Sequence, residues 1–199
     1  MKQQQRSFVM DRKQLTDYIK VYDGVIDSKI CRQIVRTFDL DVENQERVDR
    51  ERRPTFTELN FTKQYLDKNP RWMGVQKLVQ DVFIDYVNQY IQELDLGPDF
   101  PPKYAFEQYR IKKYTKKVDE FKDHVDVADY NSARRFLVCF LYLNSVRSGG
   151  ETDFPTLDYK VNPLEGRLLI FPSLWLYRHA GRPVKDKSKY ILGSYLHYL

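Results

Sequence analysis

The spacing of apolar residues predicts two amphipathic helices in the first half of the chain. Asp27 and Ser28 offer an N-cap for the first helix. Its apolar residues share one helical face: Ile30, Ile34, Val35 and Phe38. The second helix has Asn69 as N-cap and Pro70 in its first turn, and its apolar positions recur at helical spacing as far as Leu94. A stretch rich in Gly and Pro then ends the helical pattern.

Two other segments of this half carry weaker patterns. Residues 18–26, YIKVYDGVI, are typical of a short strand. Residues 41–68 are polar, contain the run ERVDRERR and Pro54, and show no sustained periodicity. We therefore expect residues 41–68 to form a long loop or lid.

After residue 102 the pattern changes from helical to extended. Apolar and alternating runs, separated by Gly, Pro and Asn, predict the strands 104–114, 134–144, 151–154, 159–162, 167–172, 175–180 and 189–198. Helices followed by strands favour an α+β, mainly β fold in which helices pack against a sandwich or barrel. We expect one domain over 1–199, with 1–102 as helical support and lid region and 103–199 as the core.

Composition excludes several classes of protein. The 199 residues are 42% hydrophobic and 31% charged, as in a soluble globular protein. The longest apolar run, 136–143, is far too short for a membrane helix, and the N-terminus lacks the apolar stretch of a signal peptide. The two cysteines, Cys31 and Cys139, exclude a disulfide framework. We expect a cytoplasmic protein without a membrane partner.

The net charge of +5 is concentrated in one segment. Residues 103–122 contain seven basic residues against three acidic ones. Such a segment could attract an acidic polypeptide or a nucleic acid. A solvated strand-and-loop face explains the same composition.

A possible metal site rests on two of the three histidines. His124 and Asp126 stand two residues apart at the predicted end of a strand, where side chains at i and i+2 point to the same face. His179 lies on a later strand, and two histidines with one carboxylate form the facial triad that holds non-haem Fe(II). A surface histidine beside acidic residues is the competing interpretation, because Asp123 and Asp129 flank His124.

A lysine at the mouth of such a site would pair with a bound carboxylate through a charge-assisted hydrogen bond. Lys189 begins the last predicted strand, ten residues after His179, and Lys185 and Lys187 are rivals on a polar loop. Tyr142 shares a strand face with apolar residues, so its hydroxyl could reach the same carboxylate or belong to the core.

Several linked motifs between residues 104 and 198 resemble the Fe(II)/2-oxoglutarate-dependent dioxygenases, and among them the prolyl 4-hydroxylase type. The motifs are HVD at 124–126, RRFLVCFLYLN at 134–144, GGETDFP at 149–155, GRLLIFP at 166–172 and HAGRPV at 179–184. VYDGVIDSKICRQIV, nearer the N-terminus, is similar to the strand-then-helix entry of this group. The resemblance implies a double-stranded β-helix, a jelly-roll or cupin-like core, supported by the N-terminal helices.

The resemblance also implies roles for single residues. The iron ligands and catalytic residues would be His124, Asp126 and His179. Lys189 would bind the distal carboxylate of 2-oxoglutarate, assisted by Tyr142. Tyr114 resembles a tyrosine that contacts this cosubstrate, with one extra residue before the HVD motif. These hydroxylases usually carry Tyr three positions before the first iron-binding histidine, and this chain has Phe121.

The activity implied is the decarboxylation of 2-oxoglutarate to succinate, coupled to hydroxylation of a C–H bond by dioxygen. A proline-containing peptide or protein is the favoured substrate, and the same resemblance makes ascorbate a candidate further cofactor. Compact members are also encoded by phages, which would place the protein in the host cytoplasm.

Three alternatives stay open. The basic face 110–117, with Tyr109 and Tyr114 as stacking groups, could bind nucleic acid. The same fold could oxidise a nucleobase or a small molecule. A jelly roll could also bind Zn or Ni without oxygenase activity.

Overall fold

The computed structural model describes residues 13–50 and 54–199. Residues 1–12, where a signal peptide would begin, and 51–53, within the predicted lid, lie outside the described residues. Three α-helices occur in the described ranges: α1 (Ser28–Leu40), α2 (Phe61–Leu66) and α3 (Pro70–Leu94). The side chains of Asp27 and Asn69 accept hydrogen bonds from the backbone N–H groups of Lys29 and Arg71. Both predicted helices and both N-caps are therefore confirmed.

The described residues also form twelve strands. They are β1 (Lys20–Tyr22), β2 (Glu46–Asp49), β3 (Thr55–Asn60), β4 (Tyr104–Phe106), β5 (Arg110–Tyr114), β6 (Phe121–His124), β7 (Arg135–Tyr142), β8 (Thr152–Phe154), β9 (Tyr159–Val161), β10 (Arg167–Pro172), β11 (His179–Gly181) and β12 (Lys189–Tyr198). The predicted strand 104–114 is divided into β4 and β5. The predicted strand 175–180 begins instead with a 3₁₀ turn, Trp175–Tyr177, and only then enters β11.

The strands make two antiparallel sheets. The major sheet has the order β1-β10-β7-β12-β5-β3-β2, with β4 paired to β12. The minor sheet has the order β6-β11-β8-β9. Neighbours in both sheets are mostly distant in sequence, as in a jelly roll rather than a chain of hairpins. The α+β, mainly β fold with a jelly-roll core is confirmed.

Strand periodicity divides the core into two clusters. On β7, Leu137, Cys139 and Leu141 face the helices and pack with residues such as Phe83 of α3. Val138, Phe140 and Tyr142, on the other face of β7, join a second cluster, which includes Phe154 of the minor sheet. The completely apolar run of β7 is thus explained by a buried environment on both of its faces.

The expectation that residues 41–68 form a long loop is wrong, whereas their role as a lid stays a prediction. In the described part of this segment, β2 and β3 pair along their length as a hairpin. α2 begins directly after β3. β3 pairs with β5, and Phe56 and Leu59 on it are buried. Non-local pairing therefore stabilises a segment whose own polar pattern predicts no strand. Because β1, β2 and β3 belong to the major sheet, residues before 102 contribute strands as well as helices.

Both cysteines are buried and free, as expected for a chain without a disulfide framework. Among the helices that the structure describes, none has the length and apolar character to cross a membrane. The single domain and the cytoplasmic location stay predictions.

Candidate metal centre and its cavity

The two histidines of the predicted triad lie side by side in the minor sheet. His179 of β11 is the direct cross-strand partner of His124, the last residue of β6. The Nε2 atom of His124 lies 3.7 Å from Oδ1 of Asp126, and Nε2 of His179 lies 3.6 Å from Oδ2. One potential ligand atom from each of the three residues lies within 4.8 Å of the others. The structure thus brings His179 to His124 and Asp126, which precede it by more than fifty residues in the sequence.

Backbone carbonyls orient both imidazole rings. Nδ1 of His124 lies 2.8 Å from the carbonyl oxygen of Lys122, and Nδ1 of His179 lies 3.0 Å from that of Tyr177. A neutral ring that donates from Nδ1 has a free lone pair on Nε2. This lone pair points to the space beside the carboxylate of Asp126, where a metal ion would accept it. Burial, reinforced by the neighbouring His179, lowers the pKa of His124 to about 4, so its imidazole is neutral at physiological pH.

The carboxylate of Asp126 is only half satisfied by the protein. Its Oδ1 accepts a hydrogen bond of 2.9 Å from the hydroxyl of Tyr195. Its Oδ2 is buried without a hydrogen-bond partner among the described residues. Such a buried orphan oxygen is costly unless it meets a cation or a donor. Two imidazoles and this carboxylate form a donor set that suits Fe(II) and leaves positions open for other ligands.

Lys189 is completely buried, whereas its rivals Lys185 and Lys187 are exposed. Lys189 is the cross-strand partner of Tyr114, and its Nζ lies 4.7 Å from the centre of that ring. The Nζ donates a hydrogen bond to the carbonyl oxygen of Gly150. Burial lowers the pKa of Lys189 to about 7, against a smaller opposing effect of Glu151. An ammonium group that is buried and lacks a close carboxylate among the described residues suits an anionic ligand.

Tyr142 is buried behind the cavity wall. Its hydroxyl and Oγ1 of Thr152 are 2.6 Å apart, and Thr152 lines the same inner cavity as Tyr114 and both histidines. Tyr142 thus contacts the cavity through Thr152. Burial raises the pKa of Tyr142, so its hydroxyl stays protonated and available as a donor.

Two neighbouring cavities adjoin the triad and share some of their lining residues. The inner cavity holds about 30 Å³ and lies among Tyr114, Thr152, Gly181 and the histidines. The outer cavity holds about 340 Å³ and opens between the β2–β3 hairpin and the triad. Phe121 lines both, and its ring stacks on that of His124 with centroids 3.5 Å apart. Phe121 therefore fixes the plane of a candidate ligand instead of offering a hydroxyl.

Two residues of this site were missed by sequence reasoning. Tyr195 contacts Asp126, and Lys112 lines both cavities. The alternation of β12 could have indicated Tyr195, since it shares a strand face with Lys189. The alternation of β5 likewise places Lys112 on the face of Tyr114.

The basic segment does not form one continuous face. Lys113 turns away from the cavity and pairs with Asp39 of α1 at 2.8 Å. Tyr109 and Tyr114, the proposed stacking groups, are both buried in the core clusters. Buried rings cannot stack on nucleic-acid bases, so the nucleic-acid alternative is not favoured.

A model of a known protein family matches part of the chain. The model described as the 2OG-Fe(II) oxygenase superfamily, where 2OG is 2-oxoglutarate, matches residues 109–197, which include the triad and Lys189. This segment is similar to the 2OG-Fe(II) oxygenase superfamily, as the sequence motifs predict. The match supports Fe(II) and 2-oxoglutarate as the cofactor and cosubstrate. Ascorbate stays a prediction.

One curated relative carries the name of a prolyl 4-hydroxylase. A candidate prolyl 4-hydroxylase of Acanthamoeba polyphaga mimivirus is 27% identical over 136 residues, which are 62% of this chain and 56% of that protein. The chain thus matches little more than half the length of this curated relative.

Solved structures show the same fold. A viral collagen prolyl hydroxylase from Paramecium bursaria Chlorella virus-1, in complex with 2-oxoglutarate, superposes with a TM-score of 0.68 at 22% identity, over 92% of this chain and 97% of that one. A Trichoplax adhaerens prolyl hydroxylase, in complex with a peptide fragment of hypoxia-inducible factor, also has a TM-score of 0.68, at 14% identity over 92% and 84% of the two chains. At these identities the likeness establishes the fold alone.

Proposed function

We propose that this oxygenase is a prolyl 4-hydroxylase that acts on proline in a peptide or protein. The observation that carries the proposal is the orphan Oδ2 of Asp126, which faces two oriented imidazoles beside a cavity open to solvent. That arrangement supports a metal-dependent oxidation within the superfamily. The names of the viral and animal relatives support proline as the residue oxidised.

Each proposed role follows from a contact of this chain. His124, Asp126 and His179 hold Fe(II) through Nε2, a carboxylate oxygen and Nε2, and the backbone carbonyls at Nδ1 keep the rings oriented. Tyr195 keeps the carboxylate of Asp126 in place by donating to Oδ1. These hydrogen bonds hold the ligand side chains in place before the metal binds, so less conformational entropy is lost on binding.

The cosubstrate is held at the inner cavity. Lys189 pairs with the distal carboxylate of 2-oxoglutarate, and Tyr114, whose ring lies against that lysine, forms the adjoining wall. Tyr142 supports the opposite side through Thr152. When bound, Fe(II), 2-oxoglutarate and dioxygen supply the oxidation of the substrate C–H bond.

The protein also keeps water from the reacting atoms. Aromatic rings surround His179: Phe140, Phe154 and Phe171 lie with their centroids 6.5, 5.6 and 4.9 Å from it. An apolar wall of this kind protects a reactive site from side reactions. The outer cavity beside the β2–β3 hairpin is open enough to take an extended peptide across the triad.

The proposal is tested by succinate formation with Fe(II) and 2-oxoglutarate in the presence of proline-rich peptides, DNA or free amino acids. We expect succinate in proportion to peptide, and a peptide product heavier by one oxygen atom at proline. Amino-acid analysis of the product then identifies 4-hydroxyproline. Peptide-independent turnover, or an added oxygen on a nucleobase or a free amino acid, would overturn the peptidyl-proline substrate while leaving the oxygenase class intact.

A further inference from the structure

Lys112 occupies an inward position on β5 between the two cavities. Strand alternation places Arg110, Lys112 and Tyr114 on the inner face, while Lys113 faces outward to Asp39. Lys112 is half-buried and lines both the inner cavity with the histidines and the outer cavity that opens to solvent. A cation in this position faces whatever lies between the triad and the mouth.

Four other charged side chains of this wall are already engaged in two pairs. Glu58, the cross-strand partner of Lys112, lies 3.7 Å from Nε of Arg110. Arg135 makes two hydrogen bonds with the carboxylate of Glu107, at 2.7 and 2.9 Å.

Lys112, by contrast, has no carboxylate at salt-bridge distance among the residues that the structure describes. Its Nζ lies 4.9 Å from the centre of the Phe56 ring. Burial lowers the pKa of Lys112, and the charges of Glu58 and Asp126 oppose that shift. Once Asp126 binds a divalent cation, its negative charge no longer balances Lys112. Glu58 then remains, and Arg110 already engages it, so the wall carries a net positive charge.

We propose that Lys112 binds a carboxylate of the peptide substrate, so that an acidic residue next to the target proline is preferred. The inference rests on the proposed function, because it assumes a peptide in the outer cavity. A charge-assisted hydrogen bond to a half-buried ammonium discriminates strongly between a carboxylate and an amide. The lysine thereby determines specificity without taking part in the oxidation.

The test measures peptide binding and turnover separately. Fluorescent proline peptides in matched pairs, glutamate against glutamine at a position before or after the proline, are titrated against the protein loaded with Fe(II) and 2-oxoglutarate in the absence of dioxygen. Fluorescence anisotropy gives the Kd of each peptide. Lys112→Met removes the charge and keeps the length of the side chain, and Lys113→Met is the matched control on the opposite face of the same strand.

We expect the wild-type protein to bind the glutamate peptide about tenfold more tightly than the glutamine peptide. Lys112→Met should abolish this difference, Lys113→Met should keep it, and Lys112→Glu should reverse it in favour of a lysine peptide. A wild-type protein without the preference, or a Lys112→Met protein that retains it, would overturn the inference.

Two further measurements separate the possible outcomes. Titration of 2-oxoglutarate shows whether Lys112 serves the cosubstrate instead of the peptide. Admission of dioxygen shows whether proline is oxidised, which tests the proposed function itself. If Lys112→Met weakens 2-oxoglutarate binding and leaves the peptide preference unchanged, the lysine serves the cosubstrate and the inference is wrong. If dioxygen is then admitted and proline is hydroxylated without any acidic preference, the inference fails while the proposed function stands. If the acidic preference depends on Lys112 but proline is not oxidised, the proposed function fails and the inference stands.

Discussion

The Nζ of Lys189 donates a hydrogen bond of 2.7 Å to the carbonyl oxygen of Gly150. Gly150 has a φ of +78°, and a Cβ at this position would lie 2.5 Å from Cγ1 of Val184. Only glycine can therefore present its carbonyl to the lysine without a shift of the neighbouring chain. The contact holds a buried ammonium in one orientation beside Tyr114, whose ring lines the inner cavity.

Replacing Lys189 by methionine should weaken 2-oxoglutarate binding by about 10- to 100-fold, because a charge-assisted hydrogen bond is lost. Methionine is close to lysine in length and suits a buried position, so the fold and metal affinity should be retained. Calorimetric titration of 2-oxoglutarate measures the effect, and Lys187→Met on the preceding exposed loop is the control. Unchanged affinity in Lys189→Met would remove this residue from the cosubstrate site.

Binding of 2-oxoglutarate should depend on pH through the same lysine. Burial places the pKa of Lys189 at about 7. Only its protonated form pairs with a carboxylate, so affinity should be highest below pH 7 and fall by up to about tenfold per pH unit above it. His124, with a pKa of about 4, stays neutral over this range and does not contribute.

The measurement is the Kd of 2-oxoglutarate between about pH 6 and pH 9. In Lys189→Met the pH dependence should disappear. A wild-type Kd that is constant over this range would contradict the assignment of the titration to Lys189.

Asp126→Asn should lower metal affinity and turnover by about 100-fold or more, because an anionic ligand becomes a neutral amide of the same shape. Thermal unfolding without metal should change little or even improve, since the buried orphan oxygen carries no charge in the variant. Titration with Fe(II) and succinate formation measure the two effects. Asp123→Asn, on β6 and paired with Arg182, should keep metal affinity. Full activity of Asp126→Asn would exclude this carboxylate from the metal site.

Tyr142→Phe tests the second residue that we propose for cosubstrate binding. Loss of its hydroxyl leaves Oγ1 of Thr152 without its partner, and we expect about a fivefold loss of 2-oxoglutarate affinity, equivalent to about 1 kcal/mol. Tyr190→Phe removes a hydroxyl that bonds to Asp39 on the outer face, and should leave this affinity unchanged. Equal affinities in the two variants would show that Tyr142 serves only packing.

The candidate metal triad could be predicted because the chain has only three histidines and one of them stands two residues before an aspartate. The HVD motif ends β6, as the pattern predicts, and the structure adds the direct pairing of His179 with His124. The β2–β3 hairpin could not be predicted, because its residues are polar and its stability depends on pairing with β5. The position of Lys112 could not be predicted for a similar reason. It stands in a basic run, and no local pattern distinguishes Lys112, which lines both cavities, from Lys113, which pairs with Asp39 of α1.

The sequence by itself determined α1 and α3 with their N-caps, most strands of the second half, the two faces of those strands and the residue types able to bind a metal. These features depend on side-chain periodicity and local hydrogen bonds, which a chain carries whatever its tertiary partners. Only the tertiary structure decided which strands are neighbours, and hence that Lys189 lies opposite Tyr114 and that Asp126 has one oxygen without a partner among the described residues. Backbone hydrogen bonds can join strands that are far apart in sequence. The local pattern therefore predicts which sheet face a side chain lies on, but not which residue is its partner on the neighbouring strand.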